Sequence, residues 1–137
     1  MRFVFPSDVI EPKKADEAFS DQIDAFRAAG FPVSIVSIEY LQMGQRRIYP
    51  PIESGETVAY RGWMMNEQEY RCFCDAVSFA GATPLTDADT YLTCHHLPNW
   101  YPLISEFTPR TIIFPRDADL RSELDALNWD GYFIKDY

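Results

Sequence analysis

Glycine is scarce: six residues in a chain of 137, at positions 30, 44, 55, 62, 81 and 131. Their spacing forms neither a Gly-x-Gly-x-x-Gly fingerprint nor a Walker loop, so the usual phosphate cradles are missing. No Gly-x-Ser-x-Gly elbow is present either, which removes the common serine-hydrolase signature. Cysteine is rarer still, and its odd count of three argues against a disulfide framework. No apolar run approaches the roughly 18–20 residues of a membrane span. The apolar part of Met1-Arg2-Phe3-Val4-Phe5-Pro6 is too short for a signal peptide. Free thiols and a cytoplasmic location are therefore the expectation. Positive charge is also in short supply. Twelve Lys and Arg face 21 Asp and Glu, a net charge of −9. The deficit is spread along the chain, with 6 basic against 9 acidic residues up to position 60 and 6 against 12 after it. Such a chain is not expected to hold nucleic acid on a phosphate-neutralising face, and an anionic membrane would repel it. It could instead compete with nucleic acid for the basic groove of another protein.

What the chain does have is apolar bulk. Hydrophobic residues make up 47% and aromatics 15%, enough to build the core of one domain. Arg2–Phe5 reads as a short strand ended by Pro6-Ser7-Asp8. Asp16–Ala29 carries Phe19, Ile23 and Phe26 on one helical face, with Gly30 placed to end the helix. Pro32–Ile38 is β-branched and predicts a second strand. Gln42–Glu56 has loop chemistry, and Thr57–Tyr60 predicts a third strand. Asn66-x-x-Glu69 is a capping box for a helix ending near Gly81. The first 85 or so residues thus read β-α-β-β-α-β, which predicts a mainly parallel sheet covered on both faces. Beyond them, Asp87–Leu103 is aromatic-rich and broken by Pro98 and Pro102. Thr111–Phe114 predicts a strand, Asp117 an N-cap for a helix bearing Leu120, Leu124 and Leu127, and Gly131–Tyr137 a last strand.

A few positions carry chemistry. In open α/β sheets, ligands bind outside the carboxyl ends of the strands. Ser7 and Asp8 follow the first strand and Arg61-Gly62-Trp63 the third, so both loops are candidates for one crevice. There Arg61 would fork a carboxylate or phosphate, and Gly62 would let backbone approach it. The alternative is a salt-bridged Arg beside a core Trp. Cys72 and Cys74 stand about 200° apart around a helix and cannot share an ion. Cys94-His95-His96 looks like a metal site, yet adjacent residues rarely supply three convergent ligands, so no metal is expected. Arg46-Arg47 reads as a solvated basic pair. Lys135, inside an aromatic apolar stretch, is either an edge gatekeeper or a phosphate ligand.

Several segments together resemble one family. They are Arg2-Phe3-Val4-Phe5-Pro6-Ser7-Asp8, Ile48-Tyr49-Pro50-Pro51, Tyr60-Arg61-Gly62-Trp63-Met64, His95-His96-Leu97-Pro98, Trp100-Tyr101-Pro102 and Gly131-Tyr132-Phe133-Ile134-Lys135-Asp136-Tyr137. In order and spacing they are similar to a bacterial and phage clade of ATP-grasp ligases. The resemblance implies an α/β fold in two parts. A Rossmann-like pre-ATP-grasp domain would span residues 1–87, and a truncated α+β ATP-grasp small subdomain would span 88–137. It implies an opening helix at Leu97–Phe107, and a nucleotide-binding role for His95, His96 and, on the final strand, Lys135. It also implies that the glycine-rich flap, the adenine-binding segment and the magnesium carboxylates would lie beyond Tyr137. The chain alone is then expected to be non-catalytic, with no cofactor; ATP and magnesium would belong to the longer enzyme.

Three functions follow as expectations. One is a binding module of ATP-grasp ligase type, using Ser7, Asp8, Arg61, Gly62 and Trp63. Another is a small acidic phage-type inhibitor, anti-CRISPR-like, that blocks a basic nucleic-acid-binding partner. The last is the N-terminal fragment of an ATP-dependent carboxylate–amine ligase. A protein partner is expected, as is a homodimer or strand swap through residues 131–137, where an apolar edge strand would otherwise lie open.

Overall fold

A computed structural model describes residues 1–135 of the chain. Five strands form one mixed sheet: β1 (Arg2–Pro6), β2 (Val33–Val36), β3 (Ile48–Tyr49), β4 (Thr57–Tyr60) and β5 (Thr83–Pro84). Their order across the sheet is β3-β2-β1-β4-β5. All neighbours run parallel except β3, which lies antiparallel on β2 at one edge. Among the described residues six α-helices accompany them: α1 (Ser20–Ala28), α2 (Ile38–Gln42), α3 (Glu67–Phe79), α4 (Ala88–His95), α5 (Leu97–Ile104) and α6 (Leu120–Ala126). The chain divides into two compact units, Met1–Tyr91 and Leu92–Tyr137.

The period-2 alternation of β1 explains the layers of the first unit. Phe3 and Phe5 point to one face, where Phe19, Ile23 and Phe26 from the α1 segment meet them. Arg2 and Val4 point to the other. On that face Tyr60 of β4 packs on Phe73 of α3, with ring centres 5.4 Å apart. Phe5, Val4, Val36, Val58, Phe73 and Val77 are fully buried, so the sheet is covered on both sides. Each such side chain contributes about 1.5–3 kcal/mol of hydrophobic burial.

The capping box is present as read. Asn66 Oδ1 accepts from the Glu69 N–H at 3.0 Å, and Glu69 Oε2 accepts from the Asn66 N–H at 2.8 Å. Asn66→Ala is expected to cost about 1 kcal/mol of stability, measured by urea unfolding. Gly81 then leaves the helix at φ +76°, where an L side chain is strained.

Several expectations need correction. Pro32–Ile38 is not strand throughout: Ser37 Oγ accepts from the Tyr40 N–H at 3.3 Å and starts α2 at Ile38. The 42–56 segment, read as loop, contains the short edge strand β3. Asp87–Leu103 carries α4 as well as α5, the latter inside the Leu97–Phe107 span where a helix is implied above. Pro98 sits in the first turn of α5, where its missing N–H costs nothing, and Pro102 is carried inside that helix. Asp119, not Asp117, caps α6. Thr111–Phe114 forms no strand, and neither do residues 131–135. Apolar runs this short pair only where a neighbouring strand supplies hydrogen bonds, and the second unit offers none among the described residues. Asp136 and Tyr137 lie outside the described residues. The apolar edge strand on which dimerisation was expected is thus not formed at 131–135. Among the described residues, no helix is long and apolar enough to cross a membrane.

Candidate functional site

The strand order reverses at β1, with β2 on one side and β4 on the other. A crevice opens at such a reversal, outside the carboxyl ends of the flanking strands. Two loops and the start of the first helical segment meet there. Asp16 opens that segment, and its Oδ1 accepts from the Ala18 N–H at 2.9 Å. Its Oδ2 accepts from Trp63 Nε1 at 2.8 Å, and the Trp63 ring stands edge-on to Phe19 at 5.1 Å. The Arg61 N–H extends the sheet by donating to the Val4 carbonyl at 2.8 Å. The Arg61 Nε donates to Gln22 Oε1 at 3.1 Å. Arg61 is exposed, and its guanidinium has no ion pair among the described residues.

The structure therefore brings Arg61 and Trp63 to one place, together with three residues the sequence reading passed over. Asp16 and Gln22 carry no mark in the sequence, because nothing in their spacing shows a contact to residues 47 and 39 positions away. Tyr60 was read only as the end of a strand. Its hydroxyl lies against Gly62, and burial raises its pKa. Gly62 is required here, but by the protein. A Cβ at this position would fall 2.6 Å from Pro6 Cδ and 2.6 Å from Tyr60 Cζ. The space expected for a ligand is thus taken by packing.

Ser7 and Asp8 sit after β1 as anticipated, but their roles are largely local. The Ser7 N–H donates to the Val36 carbonyl at 2.9 Å, and Ser7 bridges Ala15. Asp8 Oδ1 accepts from the N–H groups of Glu11 at 2.9 Å and Ile10 at 2.8 Å. Those donors, Glu11 first, hold its carboxyl below the usual aspartate value, with Lys14 adding to the effect. Asp8 thus organises its own turn.

The remaining candidates disperse. Cys72 and Cys74 are half-buried. Burial pushes the Cys74 thiol up to about 11, so at neutral pH it is a thiol and not a nucleophile. In the second unit Cys94 is exposed at the end of α4, and His96 occupies the position before α5 without capping it. Lys135 is exposed, lies in no strand and has no ion pair or hydrogen bond among the described residues. No group of three His, Cys, Asp or Glu gathers among them. An open, largely apolar cavity of about 490 Å³ is lined by Thr93, Cys94, Trp100, Leu103, Ile104 and Thr108. It offers no cation to a phosphate.

Compared with protein-family models, curated proteins and solved structures, the chain matches none.

Proposed function

We propose that the chain is a ligand-binding module of ATP-grasp ligase type, with a Rossmann-like first unit. In this reading it takes the carboxylate or phosphate of a small ligand at the crevice outside β1 and β4. The observation that carries this reading is Arg61. In a chain with 21 acidic residues it stands exposed at the strand-order reversal, with Nε held by Gln22 and no carboxylate paired to it among the described residues. Fixing Nε orients the fork and leaves the terminal nitrogens to bind an oxyanion in two-pronged fashion. Trp63, held by Asp16, walls the same place. The helical segment beside it opens on a carboxylate, Asp16, which already takes the Ala18 N–H and would repel a phosphate there.

Inorganic phosphate and succinate serve as probes, read by calorimetry and by the fluorescence of Trp63. Wild-type protein is expected to bind one of them. Arg61→Ala should weaken that binding about 10- to 100-fold, the worth of charge-assisted hydrogen bonds, with an unchanged circular dichroism spectrum. Equal affinity in the variant would remove Arg61 from the site. ATP with magnesium should bind little or not at all.

A further inference from the structure

The chain is acidic, yet three of its cations gather where β3 forms the edge of the sheet. Arg46, Arg47 and Tyr49 fall within four consecutive residues, and all three are exposed. The Lys13 ammonium, from the loop after β1, lies over the Tyr49 ring, 5.5 Å from its centre. The Arg47 guanidinium lies over Tyr40 of α2 at 5.7 Å, and Arg46 over Phe79 at the end of α3 at 4.7 Å. Two of these rings are themselves exposed, Tyr49 by 52% and Phe79 by 75%. None of the three cations has an ion pair among the described residues. Glu39, one position before Tyr40, is engaged elsewhere through the Ser37 hydroxyl at 2.8 Å.

A surface Arg or Lys normally samples many rotamers, and binding must freeze it. A ring beneath each cation removes part of that cost and covers only one face of the group. The N–H groups not turned to the ring are left for a carboxylate to take. The backbone adds a second element. β3 pairs with β2 on one side only, so its other side presents the unpaired groups of a sheet edge.

We infer that this edge is a docking site for an acidic peptide segment of a partner protein. The segment lies along β3, its main chain pairing with the free strand edge and its carboxylates meeting Lys13, Arg46 and Arg47. Charge complementarity selects this occupant. A second copy of the chain brings a net −9, but its carboxylates are dispersed and not set on one strand. Single-stranded nucleic acid is disfavoured because the ring faces that would stack on bases are already covered by cations. The overall negative field repels a polyanion as well. The site uses none of the residues that surround Arg61.

The test uses a fluorescein-labelled peptide of about ten residues alternating Glu and Thr, read by anisotropy. The full chain is expected to bind it, and to bind a Lys-Thr counterpart at least about tenfold more weakly. The Arg46→Glu/Arg47→Glu double variant and Lys13→Glu should each lose about tenfold or more, with an unchanged thermal midpoint. Arg46→Gln/Arg47→Gln, which removes charge without adding any, should lose an intermediate amount. Affinity that ignores the Gln and Glu variants alike would overturn the assignment, as would no binding of the Glu-Thr peptide. Tighter binding of an oligothymidine of similar length would overturn it in favour of nucleic acid.

Discussion

Replacing Arg2 by Met is expected to remove about 3 kcal/mol of stability, at the low end for breaking a buried ion pair. Arg2 starts β1 with only 7% of its side chain exposed, and Nε donates to Glu56 Oε2 at 2.6 Å. Nη1 donates to Ser34 Oγ at 2.9 Å, and that hydroxyl donates onward to the Pro50 carbonyl at 2.7 Å. One guanidinium thus ties β1 to β2, to the residue after β3 and to the turn before β4. Met fills the volume but leaves the Glu56 carboxylate, 17% exposed, with the Glu53 N–H at 2.9 Å as its remaining hydrogen bond among the described residues. The double variant Arg2→Met/Glu56→Gln should be more stable than the sum of the single losses predicts, because no unpaired charge remains. Urea unfolding checks both. A loss under about 0.5 kcal/mol for Arg2→Met would show that the pair is no more than a surface bridge. The pH dependence has a definite sign. Hydrogen bonding from Arg2 is the foremost cause holding the Glu56 carboxyl below the ordinary glutamate range. The folded state therefore binds this proton less readily than the unfolded state. The contribution is complete above the unfolded value and disappears as pH falls through the folded one. Arg2→Met should flatten that acid-side decline.

Legibility in the sequence followed the range of the interactions. The strand Thr57–Tyr60 and the Asn66 cap were readable, because they rest on neighbours within a few residues. The parallel sheet was readable from the alternation of elements. The short strand β3 was not. Two residues of strand carry no period, and their pairing with Ile35 and Val36 is set by tertiary position. The second unit failed for the opposite reason. Thr111–Phe114 and residues 131–135 have strand-forming side chains but no partner strand among the described residues. The surroundings of Arg61 were half legible. Chain position alone placed Arg61 and Trp63 at one end of the sheet, since loops after parallel strands share it. The residues that aim them, Gln22 and Asp16, sit on an exposed helical segment, and only the folded geometry distinguishes them from neighbouring polar residues.

Phe73→Ala is expected to cost about 3–5 kcal/mol, a large share of what a domain of this size has to lose. Phe73 is fully buried and lies between Tyr60, with ring centres 5.4 Å apart, and Tyr70 at 5.7 Å. Tyr70 in turn stacks on Tyr91 at 3.6 Å, and the Tyr91 hydroxyl accepts from the Met65 N–H at 2.8 Å. The row of rings therefore runs from the sheet through α3 to the segment that follows Trp63. A cavity at Phe73 cannot be closed by one neighbour, because Tyr60 is pinned on β4 and Tyr70 is anchored by its hydroxyl to the Thr86 carbonyl at 3.0 Å. The penalty should therefore sit at the upper part of the range, whereas Phe73→Leu, which keeps most of the volume, should cost about 1–1.5 kcal/mol. Denaturant midpoints with unchanged slopes would give both values. The same row supports the candidate site, since Tyr60 abuts Gly62 from below. In Phe73→Leu, still folded, a Tyr60 ring free to tilt relaxes Gly62 and the flanking Arg61 and Trp63. Trp63 fluorescence should then shift in Phe73→Leu and stay fixed in an equally destabilising Val77→Ala control. Identical spectra in the two variants would mean that the crevice is held by Asp16 and Gln22 alone.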